Sequence, residues 1–147
     1  MREVNPLVLA VVAVAVLGIA MIPTVAATHT QGVIHHTMVD ALVPSWVVGE
    51  LYYRLDVDSH YGSGRYIIDQ AWDTVSYSCY WPGVVYTNVV HSYTTYTGIY
   101  NEYVWGTCSW ENGLSIPTPW GYVWINHYYH TAYLWVYASG YWTGVLY

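Results

Sequence analysis

Two cysteines, Cys79 and Cys108, are far enough apart in the sequence that a covalent link between them would close a sizeable loop. Each is followed two residues later by a Trp, Trp81 or Trp110, and then by a turn-forming segment. In an exported domain two such cysteines typically form a disulfide, which would stabilise the fold by about 3–4 kcal/mol. The sequence therefore predicts a Cys79–Cys108 disulfide, and the alternative is two buried free thiols.

Asp56 and Asp58 are the candidates for a metal site, because oxygen ligands at positions i and i+2 of a strand end suit Ca²⁺. The alternative is that these carboxylates, with Ser59, cap the adjacent turn. His127 and His130 are three residues apart, so a strand would direct them to opposite faces, whereas zinc needs three or four convergent ligands. We expect no cofactor, and calcium at Asp56 and Asp58 is the alternative.

Catalytic motifs are missing from the sequence. It contains no Gly-x-Ser-x-Gly nucleophile elbow, no His-Glu-x-x-His zinc motif and no phosphate-binding loop. Two of the scattered Asp and Glu residues could act as a glycosidase pair only if the fold brought them together. The simpler interpretation is that these carboxylates maintain solubility. We therefore expect that the protein is not an enzyme and has no catalytic residues.

Aromatic side chains are the remaining candidates for a binding function. The chain has 18 Tyr, 9 Trp and no Phe, and every Tyr and Trp lies at or beyond Trp46. These side chains combine an apolar ring with a polar tip, so they stack on sugar rings and supply rigid contact area at protein interfaces. A domain of this size cannot bury so many rings, so some of them are expected to contact a partner or a ligand.

Charged residues are scarce, at 8% of the chain, and the formal net charge is −6. The chain contains no Lys, and its last Arg is Arg65. This composition excludes nucleic acid as a partner and leaves no basic patch for an anionic lipid surface. A surface so poor in charge is weakly protected against self-association, which suits a subunit of a homo-oligomer or polymer.

The elements that must position these residues are β-strands. Residues 46–147 are rich in Val, Tyr, Thr and Trp, which favour strands, and turn-forming segments recur at short intervals. Residues 84–97 and 99–110 indicate a hairpin, and residues 111–113 indicate a further turn. We predict a mainly β fold in residues 46–147, an antiparallel β-sandwich or small barrel of about seven strands. One strand is predicted to bury a single face that contains Leu51, Tyr53, Leu55 and Val57.

A segment near the C-terminus has the pattern of a strand that is covered on both faces. Residues 120–137 are long enough for one bent strand or two short ones, and they are apolar on both faces. A strand in a sheet with one solvated face should not have this pattern. The strand is therefore expected either to be central in a three-layer arrangement or to have its outer face covered by another molecule. The candidate interface or ligand-binding aromatics are Trp120, Trp124, Tyr128, Tyr129, Tyr133 and Trp135.

Residues 1–27 form a separate segment. An uninterrupted apolar run at residues 7–22 is followed by Pro23 and small residues, which is typical of a cleaved signal peptide. The alternative is a retained hydrophobic helix, which is long enough to span a bilayer if it extends to Ala27. In that case we expect this helix to be the protein's only contact with a membrane. Residues 4–9 resemble the start of archaeal type IV pilins, in which a Pro opens an apolar helix. The resemblance implies a helix that packs into a filament core.

Residues 28–45 contain no Tyr or Trp and differ in this respect from residues 46–147. Ile34, Met38 and Leu42 recur at helical spacing, and Pro44 ends the pattern, so the segment predicts a short helix. The alternative is an N-terminal strand or linker, which could be donated to a neighbouring subunit as in chaperone-assembled pilins.

These features together favour an extracellular or cell-surface protein that is a structural or adhesive subunit. It would self-assemble through aromatic-rich β surfaces into a filament or pilus, a surface layer or a viral coat. The alternative is a secreted carbohydrate-binding β-sandwich module with a polysaccharide as its ligand. A third alternative is a small outer-membrane β-barrel with aromatic girdles, although the β region leaves little room for eight spanning strands.

Overall fold

The computed structural model describes residues 26–39 and 46–147, which form two antiparallel β-sheets. Sheet 1 has the order β1-β2-β3 and contains β1 (Thr28–Val39), β2 (Val47–Gly62) and β3 (Arg65–Cys79). Sheet 2 contains β4 (Val84–Tyr96), β5 (Tyr103–Thr118), β6 (Gly121–Trp124), β7 (Tyr128–Tyr137) and β8 (Trp142–Leu146). Its order is β4-β5-β7-β8, and β6 extends it by pairing with β5. The mainly β, antiparallel fold predicted from the sequence is confirmed.

The N-terminal helix predicted from the sequence lies outside the described residues. Within residues 26–39 and 46–147, no helix has the length and hydropathy needed to cross a bilayer.

The first described strand, β1, occupies a segment for which the sequence predicts a helix. Thr30, Ile34 and Met38 are buried and alternate with exposed neighbours, so the period is two rather than 3.6. A spacing of four residues returns to the same face in a strand as well as in a helix, which explains why Ile34 and Met38 fitted both. The strand alternative is therefore the correct one for residues 28–39, and residues 40–45 lie outside the described part.

The turn predicted at residues 111–113 is wrong, because β5 runs straight through them. Asn112 is paired on one side with Tyr86 of β4 and on the other with Tyr128 of β7. Backbone pairing on both edges stabilises the extended conformation over a local turn, although the residue types favour the turn. The consequence is a β5 of 16 residues, which extends well beyond its neighbours.

The core lies between the two sheets, which face each other in a sandwich-like arrangement. The predicted alternation of β2 is confirmed, since all four of its predicted core residues are fully buried. These side chains pack against inward-facing residues of β1, β4, β5 and β7 in one cluster. The cluster comprises Ile34, Leu51, Tyr53, Leu55, Val57, Tyr86, Val104, Cys108, Trp110, Ala132, Leu134 and Val136.

A buried carboxylate ties the two sheets together at one end of the sandwich. Glu102 precedes β5 and accepts a hydrogen bond from the backbone N–H of Ile68 in β3, with an N···O distance of 2.8 Å. Its other oxygen lies 3.5 Å from the guanidinium of Arg65. The backbone carbonyl of Glu102 accepts from the N–H of Ala138 after β7. Because Glu102 is buried, these partners are needed to offset the cost of removing its charge from water.

Candidate functional site

The outer face of sheet 1 is charged. Along β2, the residues that point away from the core include Glu50, Arg54, Asp56 and Asp58. The guanidinium of Arg54 lies 2.8 Å from a carboxylate oxygen of Asp56, and His29 of β1 lies 2.8 Å from Asp58. Paired charges of this kind are typical of a solvated sheet face.

The outer face of sheet 2 has a different composition, and we call it the aromatic face. It consists of four cross-strand rows of four residues, half of which are Tyr or Trp and none of which is charged. Cross-strand partners share a face of the sheet, so the register assigns these residues to one surface. The rows are Tyr96–Tyr103–Tyr137–Tyr141, Thr94–Trp105–Trp135–Thr143, Ser92–Thr107–Tyr133–Val145 and Val90–Ser109–Thr131–Tyr147.

The first row is a ladder of tyrosine rings across the whole sheet. The ring centroids of Tyr96 and Tyr103 are 5.0 Å apart, and the two ring planes are nearly parallel. Tyr103 and Tyr137 are separated by 5.5 Å, and Tyr137 and Tyr141 by 5.6 Å. Each such pair contributes about 0.5–1.5 kcal/mol beyond its buried area. The rings therefore stabilise one another and form a preorganised surface.

The aromatic face contains a shallow groove that could take a ligand group. It has a volume of about 560 Å³ and is lined by Trp105, Thr131, Tyr133, Trp135, Val145 and Tyr147. The ring planes of Trp105 and Tyr133 are almost parallel, at an angle of 4°, and Tyr147 meets Tyr133 edge-on. The groove can bind an apolar or aromatic group through ring contacts, with the hydroxyl groups of Thr131, Tyr133 and Tyr147 beside it.

Next to this face, residues 115–124 form a hairpin that we call the arm. It consists of the end of β5 paired with β6, and β6 forms no other strand pairing within the described ranges. Trp120, in the turn at its tip, is 94% exposed, and Ile116 and Val123 are exposed along its length. The arm thus presents apolar side chains to solvent on an element that lies outside the sandwich.

The base of the arm is held by polar contacts around Glu111. The carboxylate of Glu111 accepts a hydrogen bond from the amide of Asn88 at 2.9 Å and lies 2.9 Å from Nε2 of His127. The Asn88 hydrogen bond, followed by the contact with His127, holds the pKa of Glu111 below its usual value. The ring of Trp124 stacks on His127 with centroids 4.2 Å apart.

Five of the six aromatics predicted as interface residues lie in or beside these two features, and Tyr128 lies in neither. Tyr133 and Trp135 lie in the aromatic face, and Tyr129, opposite Glu111, is exposed at its margin. Trp120 and Trp124 belong to the arm, and Tyr128 is exposed at the start of β7. The other aromatic residues of the face were not predicted from the sequence; they are Tyr96, Tyr103, Trp105, Tyr137, Tyr141 and Tyr147. Their alternation along single strands was visible in the sequence, but their cross-strand alignment was not.

The two predicted calcium ligands are bound by side chains of the protein itself. Asp56 is 2% exposed, and its carboxylate accepts a hydrogen bond from the amide of Gln31 at 2.9 Å in addition to its contact with Arg54. His29 lies within 3.2 Å of both Asp56 and Asp58. No group of three or more His, Cys, Asp or Glu residues in the described part of the chain is arranged to hold a metal ion.

The two cysteines are free thiols in the structure and are not joined to each other. Cys79 is exposed at the end of β3, whereas Cys108 is buried in the core in the middle of β5. The predicted disulfide required both cysteines to lie near strand ends, and the continuation of β5 through residues 111–113 places Cys108 elsewhere. Burial, and then the charge of Asp73, raise the pKa of Cys108 to about 12.

Thiol titration under native conditions is expected to label Cys79 and not Cys108. The exposed thiol of Cys79 can reach a reagent, although burial raises its pKa and slows the reaction. Cys108 should react only after unfolding, because it is fully buried and protonated. Titration with an aromatic disulfide reagent, on protein purified without reductant, measures this. Failure to label either cysteine in denaturant would instead support the Cys79–Cys108 disulfide.

The candidate site is an uncharged aromatic surface with a groove in it and an apolar arm beside it. Rings and hydroxyls of this kind can take part in stacking, apolar contact and hydrogen bonding. Comparison of the chain with protein-family models, with curated proteins and with solved structures gives no match.

Proposed function

We propose that this protein is an extracellular structural subunit that self-assembles through the aromatic face of sheet 2. The observation that carries the proposal is the contrast between the two outer faces, one charged and one aromatic without charge. Copies with a formal net charge of −6 repel one another, so surfaces that lack carboxylates favour close approach. The aromatic face is such a surface.

The size and composition of the aromatic face suit a protein interface. Its four rows cover about 20 by 25 Å, from the usual strand spacing and rise. A specific interface needs about 800 Å² from each partner, and the four rows supply roughly 500 Å² of flat area, more than half of that requirement. Tyr and Trp are enriched among residues that dominate binding energy, since they bury a large area with few rotatable bonds.

Carbohydrate binding is the second candidate, favoured by the groove. Trp105, Tyr133 and Trp135 could stack on the apolar faces of sugar rings, and the hydroxyl of Thr131 could bind a sugar hydroxyl. Such a module typically presents a flat row of exposed Trp. The aromatic face has only Trp105 and Trp135, and both are partly covered by neighbouring rings, so this function remains second.

Replacement of Tyr133 by Lys is expected to prevent self-assembly. The substitution places a charge in the centre of the groove, where an interface would bury it without a partner. Loss of a central aromatic contact typically costs at least ~2 kcal/mol, which weakens association about 30-fold or more. Sedimentation velocity over a wide concentration range measures the change.

The matched control is Tyr52→Lys, on the central strand of the outer face of sheet 1. Tyr52 stacks on His35 and is exposed like a face residue, but it belongs to the charged surface. We expect this variant to assemble as the unmodified chain does. An unmodified chain that stays monomeric at all concentrations would refute the proposal. Normal assembly of Tyr133→Lys, together with loss of polysaccharide-induced changes in Trp fluorescence, would support the carbohydrate-binding alternative.

A further inference from the structure

The geometry of self-assembly depends on whether the aromatic face meets itself or a different surface. A face that contacts the same face of a second copy is related to it by a two-fold axis, and the result is a closed dimer. A polymer requires a heterologous contact, in which one surface of each copy binds a different surface of the next. The chain therefore needs a second surface complementary to the aromatic face if it is to form a filament or layer.

The arm has the properties of that second surface. Trp120 is almost fully exposed at its tip, and Ile116 and Val123 face each other across the hairpin and are both more than half exposed. A two-stranded hairpin outside a larger sheet is marginally stable on its own. Its apolar side chains gain most of their burial only if another molecule covers them.

The tip of the arm is conformationally restricted. Thr118 and Gly121 are paired across a two-residue turn, and Thr118 Oγ1 donates a hydrogen bond to the carbonyl of Gly121 at 2.8 Å. The backbone N–H of Trp120 is directed at the same hydroxyl, at 3.3 Å. Gly121 has a φ of 123°, a backbone conformation that residues other than glycine rarely adopt. This restriction reduces the entropy that Trp120 would lose on binding.

The base of the arm is fixed as firmly as its tip. The backbone N–H of Leu114 donates to Oδ1 of Asn126 at 2.6 Å, and the N–H of Ile125 donates to the carbonyl of Leu114 at 2.8 Å. A Cβ atom on Gly113 would lie 2.1 Å from the carbonyl oxygen of Asn126, so only glycine permits this close crossing. The arm is therefore a hairpin whose base is held in place by hydrogen bonds and close backbone packing.

The arm and the groove match in size, and the residues that form them are uncharged. The groove, at about 560 Å³, has room for an indole ring and is walled by Trp105, Tyr133 and Tyr147. The four rows of the aromatic face and the arm contain no charged residue, and residues 112–147 contain no Asp, Glu, Lys or Arg. Glu111 lies two residues beyond Ser109 on the same sheet face, where Asn88 and His127 contact its carboxylate. An arm-to-groove contact thus keeps the other carboxylates of two negatively charged copies apart. The arm projects from the end of β5 opposite the tyrosine ladder.

We infer that Trp120 of one copy inserts into the groove of the next copy and that the repeated contact builds an open polymer. The inference rests on the proposed function and specifies the partner surface of the aromatic face. Trp120 is the central contact, and Ile116 and Val123 extend it along the arm. Each copy offers one arm and one groove, so growth continues from both ends.

A mixing experiment with two variants tests this arrangement. Trp120→Ser removes the tip of the arm and leaves the groove, whereas Tyr133→Lys blocks the groove and leaves the arm. Each variant alone is expected to be monomeric, with association weakened about 30-fold or more. When the two are mixed, the intact arm of one fits the intact groove of the other, and native mass spectrometry should detect a heterodimer that does not grow.

Two controls keep the result interpretable. Tyr100→Ser removes another largely exposed aromatic side chain, in the loop between β4 and β5, and should leave polymerisation unchanged. Thermal unfolding followed by circular dichroism should show that Trp120→Ser and Tyr133→Lys are folded, because both side chains point to solvent.

The outcomes distinguish this inference from the function on which it rests. A Trp120→Ser variant that polymerises as the unmodified chain does would overturn the arm-to-groove contact and leave assembly through the face intact. The absence of a heterodimer in the mixture, with dimers of Trp120→Ser alone, would also overturn it, since the face would then meet itself. An unmodified chain that remains monomeric would refute both.

Discussion

Replacement of Trp110 by Ala is expected to lower the free energy of unfolding by about 3–5 kcal/mol. Trp110 is only 2% exposed and is the largest of the fully buried side chains. Its ring lies between the sheets, 5.4 Å from the ring of His36 on β1 and 5.5 Å from that of His130 on β7. Its loss would leave a cavity at the contact between the two sheets. Since small domains have only about 5–15 kcal/mol of stability, this variant should be close to unfolding.

The matched control for this prediction is Trp110→Phe. The indole Nε1 of Trp110 has no hydrogen-bond partner among the described residues, so the native side chain already carries the cost of an unpaired buried N–H. Phe keeps much of the ring volume and removes that N–H, so its cost should be below about 1.5 kcal/mol. Urea unfolding followed by far-ultraviolet circular dichroism measures both variants. Equal losses for Ala and Phe would contradict a packing role for this ring.

The second large effect is a loss of stability in acid, caused by His36. This ring lies between the sheets, half-buried, with its centroid 4.4 Å from that of His130 and Nδ1 3.4 Å from the hydroxyl of Tyr86. Burial, followed by the charges of His130 and His35, lowers the pKa of His36 to about 4. A proton on His36 would therefore be unfavourable in the folded protein.

The sign of the effect follows from the two states of His36. In the unfolded chain its pKa is near the ordinary 6.5, so the unfolded chain takes up a proton before the folded protein does. Stability is complete above pH 6.5 and falls as the pH decreases towards 4, below which His36 adds no further loss. The full shift would correspond to about 3 kcal/mol. Because the ring is only half-buried, solvent screening reduces the expected loss to about 1–2 kcal/mol.

Urea unfolding between pH 7 and pH 4 measures this loss, with two substitutions on the same strand for comparison. His36→Gln should reduce the dependence on pH by about 1–2 kcal/mol over the range, since it removes the group that titrates between the sheets. His35→Gln, on the solvated outer face of sheet 1, should retain most of that dependence. His29 acts in the opposite direction, because its hydrogen bond with Asp58 raises its pKa. Identical pH profiles for His36→Gln and the unmodified chain would contradict the prediction.

Local sequence patterns predicted the parts of the structure that depend on neighbouring residues. The β-strand composition and the alternation of Leu51, Tyr53, Leu55 and Val57 identified β2 and its buried face, because a strand turns each successive side chain to the opposite side. The same reasoning failed for β1, since a four-residue spacing satisfies both a helix and a strand. It also failed at residues 111–113, where pairing with two neighbouring strands overrides a local turn preference.

Composition and alternation were enough to establish a chain rich in β-structure, poor in charge and unable to bury all of its Tyr and Trp rings. They could not show that the charged residues of β2 share one outer face and that the rings of β4, β5, β7 and β8 share the other, which the folded arrangement reveals. The reason is that a face of a sheet is assembled across strands. Its composition depends on the order and register of segments distant in sequence, and a one-residue change of register would reverse which side chains it presents.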